Sequence, residues 1–260
     1  MGTLFNTICN GGTVVLADRS NVQQRARQCS ILVATPSILE VLEPPFSQSD
    51  YAILDRIVLG GETASCKLLN TWAVLQRQIW IAYGPTEATC ATLTGLVETC
   101  PQTGAFRPTI LGSVIDDAEV TIVDQDGNDI DALNQEGELL ISGSGLAARY
   151  WNDECRTREK FILHNGKRSY KTGDLVKWTA VGEGQKAVDF CGRADRTVKP
   201  PSRTLRRYQS LLLSPNDNFP LQGNARGRTR TAALITHVCS RNHLCRKSAG
   251  DLLLVIVFTV

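Results

Sequence analysis

The chain has 260 residues, of which 42% are hydrophobic and 21% charged, with a formal net charge of +2; that is enough material for one large domain or two small ones with a sizeable core. Nine cysteines stand without a CxxC pair or regular spacing, which argues against a disulfide framework and for reduced thiols in a cytoplasmic protein. The start, Met1-Gly2-Thr3-Leu4-Phe5-Asn6, lacks the pattern of an export or myristoylation signal, and the closing apolar run from Leu252 to Val260 falls well short of the roughly 20 residues a bilayer span needs.

In chain order, short β-branched runs alternate with amphipathic stretches. Thr13 to Leu16, Ile31 to Ala34, Arg56 to Leu59 and Ile79 to Ala82 read as strands, with helices expected over 21–29, 37–42 and 66–78. This rhythm is that of βαβ units on a parallel sheet. Asp18 or Ser20 is expected to cap the first helix, and Thr35-Pro36-Ser37 supplies a turn and a cap for the second. From about Pro108 the texture changes: Glu119 to Val123, the turn Asp124-Gln125-Asp126-Gly127-Asn128 and the run Glu138 to Gly143 predict a small antiparallel unit with a hairpin at Asp126-Gly127. The expected organisation is therefore an α/β fold, with a partial parallel sheet and flanking helices over 1–107, a β-rich unit over 108–195 and a basic tail over 196–260.

Residues 1–199 carry 19 Lys and Arg against 24 Asp and Glu, whereas residues 200–260 carry 9 against 2. After Lys199 no period of 3.6 or 2 is sustained, and no fold is expected there; the break reads as out-of-frame or unspliced coding sequence or as a disordered tail. His237, Cys239, His243 and Cys245 lie too close together to leave a zinc-finger loop. Few aromatic residues accompany the tail's arginines, so nucleic-acid binding is not expected.

Two segments stand at the carboxyl ends of predicted parallel strands, the edge at which open α/β sheets bind ligands: Gly60-Gly61-Glu62 and Tyr83-Gly84-Pro85-Thr86-Glu87. Glycines there admit close backbone approach, an aromatic ring can stack on a purine, and a carboxylate can hold Mg²⁺ beside a phosphate. Gly-Gly-Glu alone reads equally well as a tight turn. Asp174, in the turn of Tyr170-Lys171-Thr172-Gly173-Asp174, suits ribose hydroxyls because an ionised carboxylate only accepts; by itself Thr-Gly-Asp is an ordinary Asx turn. Gly137 to Ala147 is assigned to structure.

The order of these segments, with Gly192-Arg193-Ala194-Asp195 after them, resembles the adenylation domains of nonribosomal peptide synthetases, in the superfamily that also holds acyl-CoA synthetases and luciferases. The resemblance covers residues 2–199. It implies a carboxylic acid, usually an amino acid, activated with ATP as an acyl-adenylate and passed to phosphopantetheine on a carrier domain. On this matching Tyr83 stacks on adenine, Thr86 contacts phosphate, Glu87 holds Mg²⁺, Asp174 and Arg193 hold the ribose, and Gly60, Gly61, Glu62 and Gly84 complete the nucleotide side. Val33, Val58, Gly60, Ala82, Cys90 and Ala91 line the acyl pocket, whose small apolar residues point to a hydrophobic acid. Asp195 matches the hinge of the family's mobile C-terminal domain.

Against the family pattern, the phosphate loop lies upstream of anything present and the catalytic lysine has no recognisable counterpart. The expectation is a domain truncated at both ends and impaired on its own. A noncatalytic nucleotide-binding remnant docking on another synthetase subunit stays open as an alternative, as does a pseudogene product with an exposed sheet edge.

Overall fold

The computed structural model describes residues 7–17, 21–100, 103–115, 117–182 and 184–194, and the backbone of 253–257. Strand β1 (Thr13–Ala17), helix α1 (Val22–Ala26), β2 (Ile31–Ala34), α2 (Pro36–Val41), β3 (Arg56–Gly60), α3 (Cys66–Ala73) and β4 (Gln78–Tyr83) follow one another as the alternating runs predict. Helix α2 starts where the Thr35 hydroxyl accepts from the Ile38 N–H at 3.3 Å, and α3 where the Ser65 hydroxyl accepts from Leu68 at 3.1 Å; each satisfies one orphan donor of a first turn. Helix α3 is shorter than expected. Gln76 takes a φ of 52°, which no helix continues through, and the chain leaves for β4. At α1 the N-cap is Asn21, whose side chain makes no capping bond to the first turn; Asp18 and Ser20 lie outside the described residues.

Strands β2, β3 and β4 pair in parallel. Along β3 and β4, Ile57, Leu59, Ile79 and Ile81 are buried, while Val58, Gly60, Trp80 and Ala82 are half-buried. The period of 2 thus gives the sheet one core face and one open face. Against the core face lie Leu39, Leu68, Leu69 and Trp72 of the helices, with the rings of Trp72 and Tyr51 5.0 Å apart. Each such buried side chain is worth roughly 1.5–3 kcal/mol. Among the described residues no helix is long and apolar enough to cross a membrane.

Next come the strands β5 (Leu93–Leu96), β6 (Ile110–Val114), β7 (Glu119–Val123), β8 (Glu136–Ser142), β9 (Phe161–His164), β10 (Lys167–Ala180) and β11 (Lys186–Arg193), with helix α4 (Glu154–Lys160) between β8 and β9. From β5 to β11 the strands pair antiparallel. The expected turn is present: Asp124 Oδ1 accepts from the N–H groups of Asp126 at 2.9 Å and Asn128 at 2.8 Å. Strand β8, the partner of β7, begins only at Glu136.

A correction concerns the chain after Lys199, where no element was expected. Leu253–Val257 forms a strand, β12, which pairs in parallel with β1 on one side and β2 on the other. An uninterrupted Leu, Val and Ile run is the composition of a strand flanked by parallel neighbours. The sheet order is β1-β12-β2-β3-β4-β5-β6-β11-β10-β8-β7, with β9 on β10. Other sequence-based readings of the tail, including the histidine–cysteine pairs, lie outside the described residues.

The passage from parallel to antiparallel sheet runs through a close crossing of β5 and β6. A Cβ on Gly95 would stand 2.8 Å from Gly112 Cα, and one on Gly112, whose φ is +82°, would collide with the Thr94 carbonyl. Gly112→Ala is therefore expected to lower stability by about 2–4 kcal/mol, combining overpacking with an unfavourable φ. Urea unfolding reads this, and an unchanged midpoint would contradict the close crossing.

Candidate functional site

Strand β4 delivers Tyr83 to the seam between the two kinds of sheet. Its hydroxyl donates to Asp174 Oδ2 at 2.5 Å, and the Arg193 guanidinium pairs with Asp174 Oδ1 at 3.0 Å. Asp174 is 3% exposed, and a carboxylate so buried is tolerable only when its charge is met. Its position is set by β10, which is interrupted between Lys171 and Leu175 in its pairing with β8. In that interruption Gly173 takes a φ of +71° and packs against the guanidinium. The Thr172 hydroxyl donates to the Leu139 carbonyl at 2.7 Å and accepts from the Asp174 N–H at 3.0 Å. Burial, then the neighbouring Asp174 charge and its hydrogen bond, push the Tyr83 phenol far above its ordinary range, so it remains a donor.

The loop after Tyr83 is closed by a backbone bond from the Thr92 N–H to the Tyr83 carbonyl, 2.7 Å. Gly84 fits inside it because any Cβ would lie 2.7 Å from the Cys90 carbonyl oxygen. The loop holds a 3₁₀ turn, Thr86–Ala88, followed by two left-handed non-glycine residues, Thr89 and Cys90. Such residues cost about 1–2 kcal/mol each and persist only where the surroundings fix them. Here the Gly-rich segment expected to be purely structural supplies the fixing: the Ala147 N–H donates to the Glu87 carbonyl at 2.7 Å, and the Thr89 hydroxyl donates to the Gly145 carbonyl.

The Glu87 carboxylate meets two phenols. Tyr150 donates to its Oε1 at 2.6 Å, and the Tyr170 hydroxyl lies 3.3 Å from that of Tyr150. Burial pushes the carboxyl up, but the Tyr150 hydroxyl, the residue's own N–H, the Tyr170 hydroxyl and the Arg156 charge outweigh it, and the net value is below the ordinary glutamate range. Among the described residues no group of three or more His, Cys, Asp or Glu could hold a metal ion. A cation at Glu87 would be shared with a ligand's phosphates, the usual arrangement for Mg²⁺.

Of the expected acyl-pocket residues, Val33 and Val58 are register partners, as are Gly60 and Ala82. Strand parity places all four on the half-buried face, together with Trp80, which sequence reasoning passed over although it stands two residues before Ala82. Cys90 and Ala91 sit exposed in the loop above the strand end, and Thr86 is exposed as well. Gly61, at φ +82°, turns the chain beside Thr35. Glu62 is directed elsewhere: its Oε2 accepts from the Ser37 N–H at 3.2 Å and from the Ser37 hydroxyl, fastening α2 to the exit of β3. Asp195 lies outside the described residues. Tyr150 was missed altogether, since an aromatic in a loop carries no periodic signal.

The chain is similar to known proteins in sequence and in backbone. A family model described as AMP-binding enzyme matches residues 1–151. Over 200 residues the chain is 51% identical to the nonribosomal peptide synthetase echPS of Aspergillus ruber, an alignment that covers 76% of this chain and 10% of that protein. The chain thus spans about a tenth of the length of the curated relatives it matches. Its backbone is similar to that of PA1221, a synthetase protein containing adenylation and PCP domains, with a TM-score of 0.55, 26% identity and coverage of 65% of this chain and 34% of that one. The AMPPNP-bound form of the synthetase FmoA3 gives a TM-score of 0.55 and 26% identity, over 66% of this chain and 18% of that one.

Tyr83→Phe removes one oxygen and leaves Asp174 Oδ2 short of its charge-assisted partner. The expected loss is about 1.5–3 kcal/mol in denaturant unfolding; a loss below about 0.5 kcal/mol would show that the phenol does not hold the carboxylate.

Proposed function

Since the chain belongs to the AMP-binding enzyme family, we propose that these residues hold the adenosine and acyl sides of a nonribosomal peptide synthetase adenylation site, which activates an amino acid or another carboxylic acid with ATP. In that reaction a carboxylate oxygen of the acid attacks the α-phosphorus, an acyl–phosphate bond forms and pyrophosphate leaves. The acyl group then passes to the phosphopantetheine thiol of a carrier domain, and AMP departs.

The observation that carries this reading is the meeting of Tyr83 and Asp174, 91 residues apart in sequence, at 2.5 Å. Tyr83 meets one Asp174 oxygen and Arg193 the other, and a carboxylate offers about four lone-pair sites, so both ribose hydroxyls can still be accepted with Arg193 beside them. The phenol–carboxylate bond anchors the far end of the Tyr83 ring, whose face is then available to stack on adenine. Thr86 offers a free-standing hydroxyl to a phosphate. Mg²⁺, when bound at Glu87 and the phosphates, would neutralise charge on the leaving pyrophosphate. Val33, Val58, Gly60 and Ala82, with Trp80 on the same face, present an apolar surface to the acyl side chain, which favours a hydrophobic acid. Carrier domains and other synthetase subunits are the partners this chemistry implies.

Titration of the full chain with ATP and Mg²⁺ by calorimetry tests the reading. Saturable binding is expected, weakened tenfold or more by Asp174→Ala, a loss of at least about 1.4 kcal/mol. A folded sample that binds no ATP would overturn it.

A further inference from the structure

Tyr150 has no role in the reading above, yet it is the most heavily engaged side chain near Glu87. Its hydroxyl donates to Glu87 Oε1 at 2.6 Å and lies 3.3 Å from the Tyr170 hydroxyl. Its ring is gripped on two sides, with the Arg156 guanidinium 4.5 Å above the centroid and the edge of Phe161 at 5.7 Å. Its backbone N–H donates to the Thr157 hydroxyl at 3.0 Å, which ties it to α4, a helix capped by Asp153 through the Arg156 N–H at 2.9 Å. A ring so constrained has essentially one orientation, and its phenol accordingly has one direction in which to donate.

Glu87, by contrast, stands on a 3₁₀ turn beside two left-handed residues and, with several rotatable bonds, has no intrinsic preference for the direction its carboxylate takes. We propose that Tyr150 is the positioning residue for Glu87: it holds one carboxylate oxygen so that the other faces the nucleotide phosphates and the cation they carry. Tyr170 extends the same chain of hydroxyls from β10, the strand that also presents Asp174. The cation end and the ribose end of the site are thereby referenced to one strand. A pre-set carboxylate avoids the ordering cost that a free one would meet on binding, so the effect belongs in metal affinity and not in the affinity of the nucleotide itself. The inference rests on the reading that Glu87 is the protein's ligand to the cation.

The test uses the full chain with AMPPNP and Mn²⁺ as a paramagnetic stand-in for Mg²⁺, followed by electron paramagnetic resonance; nucleotide affinity without metal is measured in parallel. Wild type, Tyr150→Phe, Tyr170→Phe and Glu87→Gln are compared. Tyr150→Phe keeps the ring packing, and equal melting temperatures confirm that it folds. The proposal expects Tyr150→Phe to weaken Mn²⁺ binding about 5- to 10-fold, the size of one ordinary net hydrogen bond, with metal-free nucleotide affinity unchanged and Tyr170→Phe giving a smaller loss in the same direction. If Glu87→Gln weakens Mn²⁺ and Tyr150→Phe does not, the positioning role is overturned and the assignment of Glu87 stands. If Glu87→Gln also leaves Mn²⁺ binding unchanged, both fall. If Tyr150→Phe weakens nucleotide equally with and without metal, its role is merely structural and the proposal is overturned.

Discussion

A single buried carboxylate organises the seam of this molecule. Asp174 is 3% exposed, and withdrawing a charge from water costs several kcal/mol unless partners replace the lost solvation. Arg193 is the cross-strand partner of Asp174 on β11, whereas Tyr83 ends the last parallel strand, 91 residues before Asp174 in the interrupted stretch of β10. Satisfying the carboxylate therefore brings the end of the parallel sheet against the antiparallel one. Gly95 and Gly112 let β5 and β6 approach closely on the path from β4 to β11 and β10, because no side chain separates the two strands there.

Around that seam the loop from Gly84 to Ala91 is held in a conformation its sequence does not favour. Thr89 and Cys90 both adopt positive φ, and the bonds from the Gly145 to Ala147 segment keep them there. Strain of this kind is stable only where tertiary contacts over-determine the backbone. Here it places Glu87 beside Tyr150 and Tyr170, on the same side of the molecule as the strand end that delivers Tyr83. The fold thus holds the Tyr83 phenol and the Asp174 and Glu87 carboxylates in place through protein contacts.

Much of this was legible in the chain. The β-branched runs marked β1 to β4 because parallel strands need continuous apolar character, and the position of Tyr83 and Gly60 at strand ends followed from where those runs stop. What stayed hidden was non-local. Tyr150 lies 63 residues from Glu87 in a loop without periodicity. Strand β12 lies more than 230 residues from β1, and the apolar run that holds it, Leu252 to Val260, reads in the sequence only as too short for a bilayer span. The Gly-Gly-Glu turn was legible as a turn, but Glu62 reaches Ser37 and serves the first turn of α2, a contact that depends on how β3 and α2 pack. Helix α3 was over-extended because Gln76 carries no residue-type warning of its positive φ.

The most direct test of this account is a crystal structure of the full chain with AMPPNP and Mg²⁺. It should show the ribose hydroxyls within hydrogen-bonding distance of Asp174, the adenine against the ring of Tyr83 and the cation between Glu87 and the phosphates. A nucleotide seated elsewhere, with no ligand contact at Asp174 or Tyr83, would contradict it.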